Sequence, residues 1–397
     1  MKKITLLIFS CILATMFASC VKDDGPLSRI TSDDNKLAGE KIRVGENKNN
    51  PYYKLFVLNE GNFGRNNSSL DFLRFTNKTY VRDAFSQMNR DLALGLGDTG
   101  NDLQVYANSL WAVMNGSGLV EVMSAVDEKH IATIPVPQPR FITFHDGFAY
   151  VTSYANINKD SEEDLGSIFK IDLRTLKKVD SLSLGYQPEQ LTVCKDQIFV
   201  VNGGGNHRWN HNSYDKRITV ISAVTFEIKK EIESMENLKW ITNDGQNVWV
   251  ANMYDTAAGT FGSGFRCYNA DSYREVDLPE DIKNLHVSYM VAYPSLGAIY
   301  VIGAEQEIYP SSGYYSAAIS MKEKKETKYP FEGTPAAGIQ TPYGMEVNVY
   351  TGELYIADAG DWVNPGKVAS FSFDLKEKRW EANAGILPAH FALYYPL

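Results

Sequence analysis

His207 and His211 lie four residues apart in Gly203-Gly204-Gly205-Asn206-His207-Arg208-Trp209-Asn210-His211, and their side chains could do chemistry. On a helix that spacing would set both imidazoles on one side, and metal ligation would follow. In a run this rich in Gly and Asn the geometry stays open between zinc ligation, hydrogen bonding to a ligand and a solvated loop. Four acids, Glu60, Asp255, Asp358 and Asp361, could converge on a metal, but nothing in their spacing requires it. No Gly-x-Ser-x-Gly nucleophile motif occurs. Beyond residue 50 the cysteines are Cys194 and Cys267, both with strand-like flanks, and they read as two buried free thiols. The expectation is a binding protein that is not an enzyme, with no catalytic residue, no catalytic cofactor and no metal.

Aromatic residues are the unusual feature of the composition, with 23 Tyr, 19 Phe and 6 Trp making up 12% of 397 residues. They fall into a repeat of one aromatic, a β-branched or small residue, then a loop rich in Asn, Gly or Asp. The copies are at Phe56, Trp111, Tyr150, Phe199, Trp249, Tyr300 and Tyr355, at intervals of 55, 39, 49, 50, 51 and 55. Residues 121–144 align over 170–193 at an offset of 49, placing Pro139 over Pro188 and Thr143 over Thr192. Units of about 50 residues, each reading as four short strands such as 189–193, 197–201, 217–222 and 226–232, predict an all-β, seven-bladed β-propeller with four-stranded blades. The terminal run from Pro388 to Tyr394 repeats the inner-strand phrase without a blade of its own, so it is expected to complete the first blade.

In such a fold the seven loops that follow the second strands share one face. The ligand-binding residues expected there are Asn62, Phe63, Tyr154, Asn206, His207, Arg208, Trp209, Asn252, Tyr254, Tyr314, Tyr315, Asp361 and Trp362. Flat rings beside amide donors and acceptors suit a large, rigid ligand with a polar rim. A contact of this kind would be mostly uncharged, with an affinity that varies little with salt. The competing reading of any one Asn is that it simply forms a turn.

Lys2 and Lys3 precede an uncharged run from Ile4 to Ala18, the pattern of a signal peptide over 1–19. Ala18-Ser19-Cys20 resembles a bacterial lipobox, which makes Cys20 the lipidated residue. Asp23-Asp24 resembles the export signal that sends Bacteroidetes lipoproteins to the outer face of the outer membrane. Residues 21–50 hold twelve charges and no Phe, Tyr or Trp, and read with Cys20 as a flexible tether over 20–50. The propeller is expected over 51–397. A net charge of −9 argues against a general nucleic-acid binder.

Leu58-Asn59-Glu60-Gly61-Asn62-Phe63-Gly64, Pro139-Arg140 with Ala149-Tyr150-Val151-Thr152, and Ile386-Leu387-Pro388-Ala389-His390-Phe391 resemble the surface-layer, YncE-like seven-bladed propeller lipoproteins of Bacteroidetes. The best-understood kind in that group captures cobalamin at the cell surface. The resemblance implies a surface-exposed outer-membrane lipoprotein that binds a corrinoid and passes it to a TonB-dependent transporter. The alternatives are a cell-surface scaffold for another ligand, glycan or protein, and a propeller hydrolase or lactonase.

Overall fold

The seven aromatics fall at matching places in seven second strands: Lys54–Asn59, Ser109–Met114, Phe148–Ser153, Gln197–Asn202, Asn247–Asn252, Ala298–Gln306 and Glu353–Asp358. All but the half-buried Tyr300 are fully enclosed between sheets, where a large ring removes the most apolar surface from water. Trp111 and Trp249 keep their indole N–H groups satisfied, on Ser109 Oγ at 2.8 Å and Asp244 Oδ2 at 3.1 Å. These facts come from a computed structural model that describes residues 37–44, 49–93, 95–157, 165–204, 214–253, 263–306 and 311–396.

Seven antiparallel sheets form the blades of a β-propeller. The inner strands of blades 2 to 7 are Gly100–Tyr106, Pro139–His145, Pro188–Cys194, Leu238–Asn243, Tyr289–Tyr293 and Pro342–Asn348. Blade 1 takes its inner strand from the other end of the chain: Pro388–Tyr394 pairs antiparallel with Lys54–Asn59, from Lys54 opposite Tyr394 to Asn59 opposite Pro388. Blade 5 has three strands, and its outer edge is reduced to one bridge between Tyr268 and Glu275. Cys194 and Cys267 are buried free thiols. Burial pushes the Cys267 thiol up to about 12, so it stays protonated and unreactive.

The tether departs from expectation. Glu40–Lys41 pairs with Thr79–Val81 as a fifth strand of blade 1, and Val44 is buried against Tyr80, Tyr355 and Trp380. Residues 21–50 are therefore not a free coil along their whole length. A hydrophobic residue at 44 and a β-branched residue at 42 were the signal within an otherwise charged run.

Ring closure is testable. A chain ending at Gly385 loses the inner strand of blade 1 and exposes the edge of Lys54–Asn59. It should show no cooperative thermal transition by circular dichroism, whereas an unchanged melting curve would contradict the role of the closing strand.

Candidate functional site

A repeated backbone device governs the mouth of the central channel. Register shifts occur where the inner strand starts in six blades, at 100/102, 139/142, 188/191, 238/240, 342/344 and 388/390; only the inner strand of blade 6 pairs without one. In five blades the residue just before the strand, Thr99, Gln138, Gln187, Asn237 or Leu387, has a left-handed φ between 42° and 55°. Pro at the first position of four inner strands suits a place where no ladder N–H is needed. A bulge adds one residue to one strand and re-aims its side chain. The residues at these bulges include Asn101, Arg140, Glu189, Lys239 and Tyr343.

These side chains form one polar cluster. Arg140 lies against Glu189, with Nη2 at 3.2 Å from Oε2, and its guanidinium carbon sits 4.5 Å from the centre of the Tyr154 ring. The Tyr154 hydroxyl donates to Glu189, and Asn101 Nδ2 donates to the Arg140 carbonyl at 2.6 Å. Burial opposes the charge of Arg140, but Glu189, Tyr154 and Glu60 outweigh it and hold the group above its ordinary value. Glu60, just after the second strand of blade 1, accepts from Tyr343 Oη at 2.9 Å and lies 3.0 Å from His390 Nε2. Rings continue around the wall in the order Phe141, Trp240, Tyr289, Tyr343 and Trp362, at centroid separations of 6.3, 6.1, 5.6 and 4.8 Å. Burial lowers the pKa of Lys239, with Glu189 and Glu60 opposing and Arg140 reinforcing, so the charged groups all feel one another.

Below the mouth a well of about 370 Å³ is lined by Asp102, Trp240, Tyr289, Tyr293, Glu346 and His390, among others. Glu346 Oε1 accepts from Tyr293 Oη at 2.6 Å and from the Val347 N–H at 2.8 Å. Burial still pushes its carboxyl up to about 7.

The sequence-predicted residues divide. Tyr154 and Trp362 join the mouth, and Asn62 reaches it through Nδ2, 3.5 Å from the Trp362 carbonyl. Phe63 is 80% exposed and Trp362 39% exposed, so two large rings stand in solvent at the rim. Trp362 has a φ of 70°, a conformation bulky residues rarely adopt and one that recurs at functional positions. Asp361 is exposed and accepts from the N–H groups of Val363 and Asn364, which shapes the rim turn.

Three of the expected residues are engaged within the fold itself. Asn252 is buried, and its Oδ1 accepts the Gly264 N–H at 2.9 Å; Asn59 and Asn202 make similar ties at the same strand ends, so this repeated Asn is a staple of the fold. Tyr315 is also buried, with its hydroxyl on the His286 carbonyl and Lys328 over its ring, and Tyr314 packs on Phe331. Asn206, His207, Arg208, Trp209, Tyr254 and Cys20 lie outside the described residues, as do His211 and Asp255. Asp358 accepts from the N–H groups of Gln340, Thr341 and Gly360, tying the segment before the inner strand of blade 7 to the turn after its second strand. Among the described residues no three His, Cys, Asp or Glu side chains are grouped to hold a metal. Glu60, Arg140, Glu189 and Lys239 line the mouth beside His390, so its wall is more charged than the expected contact.

A profile described as a domain of unknown function, DUF5074, matches residues 53–379, most of the propeller. The chain belongs to this DUF5074 family. No curated protein matches it. Among solved structures it is similar to Kuenenia stuttgartiensis hydrazine synthase, at 14% identity over 74% of this chain and 89% of that one, with a TM-score of 0.59. It is also similar to the Pseudomonas aeruginosa periplasmic gluconolactonase, at 8% identity over 86% and 99%, with a TM-score of 0.59. A Bacteroides fragilis protein described as a candidate 6-phosphogluconolactonase matches at 9% identity over 87% and 99%, with a TM-score of 0.56. Identities this low speak for the fold. The expectation that the chain is not an enzyme is nevertheless corrected, because proteins named as lactonases share this architecture.

Glu346 provides a check on the well. Its folded pKa of about 7 exceeds the ordinary 4.5, so the folded state holds an extra proton between those values. Its contribution to stability is whole below about pH 4.5 and lost as pH rises through about 7. Glu346→Gln keeps the acceptor oxygen and cannot ionise. It should match wild type in thermal melts at about pH 4.5 and be more stable by about 1–3 kcal/mol at about pH 8; a pH-independent difference would contradict a buried, neutral carboxyl.

Proposed function

We propose that the channel mouth of this DUF5074 propeller captures a large, rigid ring compound with a polar rim, of which a corrinoid is the specific candidate. One observation carries this reading: Trp362 stands partly exposed at the rim with its ring edge-on to Tyr343 of the polar wall, and the exposed Phe63 follows Asn62, whose amide reaches the Trp362 carbonyl. Flat rings at low entropic cost supply stacking area, and the pre-paired polar groups below them select for amide or charged substituents. The resemblance to surface cobalamin-capturing lipoproteins supports the same ligand. In this reading Cys20 anchors the protein by its lipid, the Asp23-Asp24 signal places it on the outer face of the outer membrane, and the rim meets a TonB-dependent transporter that receives the corrinoid.

A second reading is favoured by the 3.0 Å contact between His390 and Glu60 beside two cations. A carboxylate-oriented imidazole can take a proton from water, and nearby ammonium or guanidinium charge can stabilise the oxyanion that forms at a lactone carbonyl. Names of the lactonase-like neighbours agree with this chemistry.

Calorimetry with cyanocobalamin and a pH-stat assay with gluconolactone separate the two. Capture predicts saturable micromolar or tighter binding without turnover, weakened roughly thirtyfold by Trp362→Ala, as expected for loss of about 2 kcal/mol at an anchor. Absence of binding together with lactone hydrolysis that is lost in His390→Ala would transfer the site to the hydrolase reading.

A further inference from the structure

The charged groups of the mouth are matched with one exception. Arg140 is held by both oxygens of Glu189, and Glu60 is shared by His390 and Tyr343. Lys239 is the extra residue between Leu238 opposite Asn252 and Trp240 opposite Ala251, so the backbone bulge exists to present this side chain. Its ammonium forms no ion pair with any described carboxylate and sits 5.0 Å from the centre of the Trp240 ring. A half-buried cation without a close counter-ion is unfavourable, and burial accordingly lowers its pKa. The neighbouring Trp240 lines the well and is 7% exposed, yet its indole N–H is buried without an acceptor. Buried donors of proteins are nearly always satisfied. Lys239 is thus, among the described residues of the mouth, the charged donor left without a close counter-ion, while the buried Trp240 N–H beneath it offers that ammonium no acceptor.

We infer that Lys239 is the recognition residue for an oxyanion, a carboxylate or phosphate group, carried by the molecule that occupies the channel mouth. The inference rests on the mouth being the ligand site, and adds that its occupant presents an anionic group to Lys239 at the mouth, above the Asp102 and Glu346 carboxyls that line the well. Ammonium and oxyanion form a charge-assisted hydrogen bond in a setting where water is scarce, and the ligand supplies the counter-charge that the fold withholds. Arg140 already has its charge countered by Glu189, which its Nε and Nη2 face.

The test uses the full chain, with inorganic phosphate and gluconate as probes titrated at low and high ionic strength. Wild type should bind at least one probe saturably and more weakly at high salt; the probe that binds distinguishes phosphate from carboxylate. Lys239→Met and Lys239→Gln, checked by thermal melts, should weaken that binding at least about tenfold. Lys177→Met, on the exposed outer strand of blade 3, should leave it unchanged. Wild type supplies a readout free of any folding defect: affinity should fall as pH rises through the lowered pKa of Lys239, below the ordinary lysine range. Equal binding by wild type and both Lys239 variants, or no saturable binding of either probe, overturns the inference. Cyanocobalamin titrations on the same proteins keep the two claims apart. Binding by wild type that Lys239→Met leaves intact removes only the oxyanion role, whereas failed cyanocobalamin binding with Lys239-dependent gluconate or phosphate binding removes only the macrocycle.

Discussion

Everything in this molecule depends on one antiparallel pairing, that of Pro388–Tyr394 with Lys54–Asn59. A propeller is a ring of sheets, and a ring left open would expose an unpaired inner edge and let the channel splay. The chain closes it with its last strand, and the functional geometry is built on the seam. Glu60 follows the older strand of this pair, His390 lies within the closing one, and their contact joins positions 330 residues apart. Gly385, at the entry to the seam, donates its N–H to Asn59 and to the buried Asp71, whose carboxyl is pushed up to about 6 by burial. The fold therefore cannot assemble its His–Glu pair without first closing its ring.

Closure gives a channel, and the bulges decide what faces it. An inner strand of regular register would alternate small and apolar residues toward its neighbours. The extra residue at the start of six inner strands breaks that alternation where a left-handed residue or a proline has already disturbed the backbone. Charged and aromatic side chains then converge from separate blades. Desolvating so many charges is unfavourable, and the protein offsets most of it by pairing them, Arg140 with Glu189 and Glu60 with His390 and Tyr343. Lys239 is where that pairing stops.

The fold was legible because a propeller repeats. Seven aromatics at the third position of seven second strands mark the blades, since six of these rings are buried at the same height and Tyr300 is half-buried there, and the unpaired terminal phrase marks the closing strand. The site was legible only at its rim. Tyr154, Asn62 and Trp362 follow the aromatic anchors directly and were reachable by counting from them. Arg140, Glu189, Lys239, Tyr343 and His390 belong to the inner strands, and their convergence depends on register shifts that no composition or spacing encodes. A weak signal existed in the alignment of Pro139 over Pro188: the residue after that proline is the one the bulge presents. Asn252 and Tyr315 read alike in sequence whether they meet a ligand or serve the fold: Asn252 ties the loop after its own strand, and Tyr315, within the strand Ser312–Ser320, reaches the His286 carbonyl.

Hydrogen–deuterium exchange of the full chain, with and without saturating cyanocobalamin or gluconate, tests the placement of the site most directly. Slowed exchange is predicted in segments around 58–65, 138–142, 187–191, 237–241, 341–345 and 386–391, which meet at the mouth. Protection confined to the outer strands or to turns on the opposite face, such as those around 146, 195 and 245, or no protection with either compound, would contradict the account.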